Sequence, residues 1–427
     1  MTESNHRGRG AAGIGWRLLV TGAVACVVGL GVGQLVWPVD GGRGAVVARE
    51  TAEVGQGDAE EPKERVEALP DDARSADRVR RADPERVPEY PASWAPEGLA
   101  ETPKRPSWAF EAPFIRGFAV GAYLELPGLS YDRMFSEIRA LGATHVSLVV
   151  TWSQANVRAV AIGPHPTETM ADGKLRELVE SAHRNGLQVL LFPILNIERR
   201  RASEWRGRLA PSLPELWWAS YEGFILHYAA LAESMGVAVY SVGSELLDLE
   251  SEQVRWESLV SKVRGVYRGA LTYSANWDHF DGVTFWGALD LVGMTGYFEL
   301  TDKAEPSLEE LRHTWSEGAK VIAGYGERVG KPVVLTEVGY PSQVGAASHP
   351  WDYTRKKAPS GQAQYMAFRA MYEAYLDRSR VAGPEGGCGL GGVIVWNWYG
   401  YGGPEDGTYT LRGKPATAVM KRWFAGE

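Results

Sequence analysis

The chain has 427 residues with a net charge of −8, and it carries 16 Trp, 18 Tyr and 2 Cys. No long basic block offsets the acidic balance, which argues against nucleic acid as a partner. Cys26 and Cys388 belong to no CxxC or Cys/His cluster and the eight His are scattered, so neither a metal nor another cofactor is expected.

Residues 1–17 are polar and include Arg7, Arg9 and Arg17. Residues 18–37 form an apolar run broken only by Thr21 and Gln34. About 20 such residues span a bilayer as a helix. The preceding arginines predict a cytoplasmic tail, an uncleaved signal-anchor and an exported remainder. Cleavage after Ala48, or lipidation at Cys26, are the lesser alternatives. Residues 38–110 mix Glu, Asp, Arg, Ala and Pro without period, which predicts a solvated, disordered linker.

From residue 111 the pattern changes to alternating strands and helices. Strand-type runs occur at 118–122, 145–152, 188–195, 237–243, 271–276, 291–297, 332–337 and 393–398. Leu175, Leu178, Val179 and Ala182 have helical spacing, as do Tyr221, Phe224, Ile225 and Tyr228, and Trp256, Leu259, Val260 and Val263. Ser307 and Glu310 form a capping box, whereas 277–290 holds only a poor helix. This order predicts a single (β/α)8 TIM barrel over 111–427. A doubly wound open sheet is the rival, but Gly117 and Gly121 are a weak substitute for its glycine-rich first turn. His145, inside a strand run, reads as a satisfied core histidine.

Barrel chemistry is placed where strands end. Those ends carry Trp152, Asn196, Glu245, Asn276, Trp277, Tyr297, Glu337, Trp396, Asn397 and Trp398. Glu245 ends the fourth strand and Glu337 the seventh, so the two acids face each other across the barrel and suit glycosidic bond cleavage. The many aromatic rings suit the apolar faces of sugars, although core packing accounts for more than half of them on this reading. Trp152, Asn196, Asn276 and Trp277 read equally as sugar contacts or barrel caps. Glu125 and Glu198 read as loop charges, and Asp278, His279 and Asp281 as a crowded loop. Asp248 and Glu250 are expected on the helix after Glu245.

The stretches VGSELLDLE, FWGALDLVGMTGYF, KPVVLTEVGYPS and GGVIVWNWYGYGG resemble the clan of retaining (β/α)8 glycoside hydrolases. Within it, the chain is most similar to glycoside hydrolase family 113, the β-1,4-mannanases. The resemblance spans about 115–424. It implies Glu245 as general acid/base, in an apolar setting that raises its pKa, and Glu337 as nucleophile. It implies that Tyr297 hydrogen-bonds Glu337 and that Trp396 or Trp398 forms the sugar-binding floor. Many clan members place Asn before the acid; here it is Ser244, whose hydroxyl would meet the sugar 2-hydroxyl with shorter reach. The expected partners are a polysaccharide or oligosaccharide and, through the amino-terminal segment, a membrane. The competing reading is a non-catalytic glycan-binding or envelope protein on a decayed hydrolase barrel.

Overall fold

The computed structural model describes residues 114–122, 129–201, 204–376 and 389–426. The expected tail, signal-anchor and linker, together with Cys26, Cys388 and Glu125, lie outside the described residues. Among those described, no helix is long and apolar enough to cross a membrane.

Eight parallel strands close into a barrel in sequence order. They are β1 (Ile115–Gly121), β2 (His145–Gln154), β3 (Gln188–Ile197), β4 (Val239–Ser244), β5 (Ala270–Ala275), β6 (Val292–Thr295), β7 (Val333–Val338) and β8 (Leu390–Val395). Pairing of β1 with β8 completes the ring, so no edge strand is left. Helices α1 (Tyr131–Ala140), α2 (Asp172–Arg184), α3 (Pro214–Ser234) and α4 (Gln253–Arg264) follow the first four strands. After β6, β7 and β8 come α5 (Leu308–Val329), α6 (Gly361–Ala374) and α7 (Ala416–Ala425). Two 3₁₀ turns, Phe280–Gly282 and Trp286–Ala288, stand where a helix would follow β5.

Local chemistry sets the helix limits. Ser307 accepts from the Glu310 N–H while Glu310 reaches back to the Ser307 N–H, completing the capping box, and Gly330 ends α5 in the left-handed region. The Ser130 and Ser360 side chains cap α1 and α6 by accepting from the Arg133 and Ala363 N–H groups. His145 is buried, with its Nδ1 2.8 Å from the Thr144 hydroxyl.

The strands are apolar on both faces, as burial on both sides demands. Their outer faces pack on the helices, while Val149, Leu190, Phe192, Ile194, Val334 and Ile394 fill the barrel interior. Behind β4 and β5 the outer layer is an aromatic block. Trp217 stacks on Tyr221 at 4.9 Å, Trp256 stacks on Phe285 at 4.6 Å, and Trp218 meets Trp256 edge-on at 5.2 Å. Each such pair adds about 1 kcal/mol beyond its buried area. The Tyr221 hydroxyl comes so close to β4 that a Cβ on Gly243 would lie 2.4 Å from it, and only glycine fits there.

Candidate active site

Toward the carboxyl end of the barrel the inner face becomes polar. Ser241, Thr272, Ser274 and Thr336 are buried, and the Ser274 and Thr336 hydroxyls lie 2.6 Å apart. They meet across β6 because residue 293 is glycine: a Cβ there would sit 2.2 Å from the Tyr273 carbonyl oxygen. Two acids stand above this layer.

Irregular strand pairing aims both acids. The β4–β5 register slips between Ser241 and Ser244, immediately before Glu245. The β7–β8 register slips between Leu335 and Val338, and β6–β7 slips at the same level. Simple alternation would turn Glu337 outward with Val333 and Leu335; the extra residue of a bulge re-aims it. Glu245 lies just past β4 with φ +57°, and its N–H donates to the Ser274 carbonyl at 2.8 Å. Both side chains are almost fully enclosed.

Each acid has its own partner. The Tyr297 hydroxyl donates to Glu337 Oε2 at 2.9 Å. Arg206, buried in the 3₁₀ turn Arg206–Arg208 after β3, donates from Nη2 to Glu245 Oε2 at 2.5 Å. The apolar surroundings expected for Glu245 are therefore corrected to a buried ion pair, since a fully enclosed carboxylate needs a compensating charge. Burial, followed by the nearby charge of Glu245, pushes Glu337 upward; Arg206 and the Tyr297 hydrogen bond oppose the rise. Burial and the like charge of Glu245 thus favour the protonated form of Glu337, while Arg206 and Tyr297 each favour the ionised form of the acid they touch.

The remaining expected residues divide by face. Asn196 continues the inward row Leu190, Phe192, Ile194 and is half-buried. Asn276 continues the inward row of Thr272 and Ser274, and its amide finds no hydrogen-bond partner within the protein. The Ser244 hydroxyl, Asn397 Oδ1 and Trp277 Nε1 are likewise buried without one. Trp396 packs inside with Ile394 and Tyr297. Trp398 turns the other way, edge-on to Phe118 at 5.2 Å, with its Nε1 donating to Glu137. Strand alternation gives residues two apart one face, but β8 ends at Val395, so Trp396 and Trp398 lie beyond it and part, and Trp396 is the one that faces the interior. Trp152 also faces outward, stacked on Phe224 of α3 at 5.3 Å, so it stands outside the cluster. Its even number on β2 puts it with Val146, Leu148 and Val150, a parity the sequence already carried.

Several residues at the mouth gave no signal in the sequence. Arg206 comes from a loop without periodicity. Trp351, from the loop after β7, joins the inner cluster 5.7 Å from Trp277, and Tyr409 meets Tyr297 at 6.2 Å. Glu198 is an exposed loop charge. Asp278 pairs with His279 at 2.7 Å, and among the described residues no group of His, Cys, Asp and Glu could hold a metal ion.

Asp248 and Glu250 are not on the helix after Glu245: the chain makes a 3₁₀ turn, Leu247–Leu249, and α4 opens only at Gln253. Glu250 is buried and accepts from the Tyr273 hydroxyl at 2.8 Å. Burial pushes its carboxyl up to about 7, against the Tyr273 hydrogen bond and His279, with Glu245 and Asp278 adding to the rise. The folded chain thus holds a proton here that the unfolded chain has released, and this contribution is lost as pH rises toward 7. A shift from 4.5 to about 7 amounts to about 3 kcal/mol. Glu250→Gln does not titrate, so its Tm relative to wild type should rise from pH 5 to pH 8. A constant difference in thermal melts would refute the assignment; other groups titrate in both proteins and cancel.

A closed parallel barrel with two enclosed acids at the ends of β4 and β7 places this chain among the barrel-fold glycoside hydrolases. A family model, Glycoside Hydrolase Family 113, matches residues 130–400, and the chain belongs to that family. Among solved structures it is similar to the GH113 β-mannanase AaManA from Alicyclobacillus acidocaldarius in complex with ManMIm. The identity is 28% and the TM-score 0.64, with 74% of this chain and 99% of that chain covered. Two structures of a GH113 β-1,4-mannanase, one of them a complex, are 25% identical with the same coverage and TM-scores of 0.63 and 0.62. A search of curated proteins finds no match.

Proposed function

We propose that this glycoside hydrolase cleaves β-1,4-linked mannan, or a related β-glycan, with retention of configuration. The observation that carries the reading is the pair of enclosed acids with unlike partners: Tyr297 on Glu337, and Arg206 on Glu245. A hydrogen bond from Tyr297 favours the carboxylate of Glu337, the form a nucleophile needs. Glu337 attacks the anomeric carbon while Glu245 protonates the departing oxygen. Water then enters, Glu245 takes its proton, and the glycosyl–Glu337 ester is cleaved. For Glu245 to donate, it must carry a proton in the substrate complex, which requires the Arg206 contact to loosen as sugar enters.

Trp396 forms the floor beneath the cleaved sugar, and Ser244, Asn196 and Asn276 supply hydrogen bonds to its hydroxyls. The mannan preference rests on family neighbours of 25–28% identity. The apolar run 18–37 would anchor the enzyme in the membrane with the barrel exported.

The test is to incubate the full chain with β-1,4-mannan and with other β-1,4-glycans, following new reducing ends and the anomer first released. Fastest release from mannan, with the β-anomer first, is the expected result. Release of the α-anomer first would remove the double displacement, and a faster reaction on another glycan would move the substrate.

A further inference from the structure

Glu245 is one of two non-glycine residues among those described with positive φ, and that conformation costs about 1–3 kcal/mol unless its surroundings impose it. Two hydrogen bonds impose it here. The Glu245 N–H donates to the Ser274 carbonyl, and the next N–H, that of Leu246, donates to the Tyr273 hydroxyl at 2.7 Å. Having accepted from the backbone, the Tyr273 hydroxyl directs its own proton to Glu250 Oε1 at 2.8 Å. Tyr273 is fully buried, and its ring is wedged by Trp256 and Phe285, each at 5.2 Å. Glu250 is held in turn, since its carbonyl accepts from the Thr284 hydroxyl at 3.1 Å. A phenol so placed cannot swing away, and no water can replace it without opening the outer core. The chain Leu246 N–H, Tyr273, Glu250 thus lies behind the turn, in the outer core formed with Trp256 and Phe285.

We infer that Tyr273 and Glu250 are positioning residues for acid catalysis, locking the turn that points the Glu245 carboxyl at the leaving oxygen. This rests on the proposed role of Glu245 as acid/base. Without the phenol, the buried Leu246 N–H loses its acceptor and the turn rotates to find another, carrying Glu245 with it. Without Glu250 the phenol is free to turn its proton elsewhere, and the turn loosens less.

The experiment measures kcat/KM on two aryl β-mannobiosides, one with a phenyl and one with a 2,4-dinitrophenyl leaving group. Only the first needs a proton to depart. Tyr273→Phe should lower kcat/KM about 100-fold on the phenyl substrate and within about 3-fold on the dinitrophenyl one, since positioned acid catalysis supplies about 10²–10⁴-fold. Glu250→Leu should show the same split at about 10-fold, and Glu250→Gln, which keeps an acceptor, should recover most of it. Equal losses on both substrates, or no loss on either, overturn the proposal. Glu245→Ala separates the two layers of inference. If it shows the split and Tyr273→Phe does not, positioning fails alone; if it lacks the split, the acid/base role falls and this proposal with it.

Discussion

Glu337→Ala is expected to lower kcat on every glycan by about 10⁴-fold or more, because removing a nucleophile removes the covalent route rather than weakening it. Unfolding should not be the cause. Burial penalises the charged form of this acid, so the variant should melt no lower than wild type. The matching gain-of-function measurement is azide rescue. Glu337→Gly leaves space beside the anomeric carbon on the face opposite the leaving group, so azide should restore slow turnover of an activated β-mannoside and yield the α-azide. Retention of a tenth of wild-type activity by Glu337→Ala would end the nucleophile assignment.

Glu245→Ala is the second large effect, with a different signature. Loss of a positioned acid should cost kcat/KM about 10²–10⁴-fold on a glycan whose leaving group needs protonation. Azide should rescue this variant through the second step and give the β-azide, since the Glu337 ester still forms first. An α-azide from Glu245→Ala would exchange the roles of the two acids. Arg206 sharpens the choice of variant: Glu245→Gln keeps an oxygen for the buried guanidinium whereas Glu245→Ala removes it, so the alanine variant should melt lower.

Much of the architecture was legible because it is written in short-range patterns. The alternation of apolar runs with 3.6-residue periods gave all eight strands to within a few residues, and the capping box at Ser307 marked the start of α5. The poor helix expected over 277–290 corresponds to two 3₁₀ turns. What sequence could not carry was any contact between distant loops. Arg206 reaches Glu245 across 39 positions, and Trp351 reaches Trp277 from a loop without period. The face of Glu337 was hidden for a different reason: it depends on a bulge, and a bulge shifts alternation without leaving a compositional mark. Trp152 shows the converse, because parity along β2 already placed it against α3. Glu250 followed the helical pattern only if the helix began at once after Glu245, and the 3₁₀ turn intervenes.

The aromatic block behind β4 and β5 has a bearing on how the molecule can be watched. Trp217, Trp218 and Trp256 sit in that shell and Trp315 is buried elsewhere in the outer layer, whereas Trp277, Trp351 and Trp396 line the mouth. Among the described residues, indole emission therefore comes from more than one setting. The shell indoles should dim together when the barrel comes apart, while Trp277, Trp351 and Trp396 stand at the end of the barrel that holds the two acids.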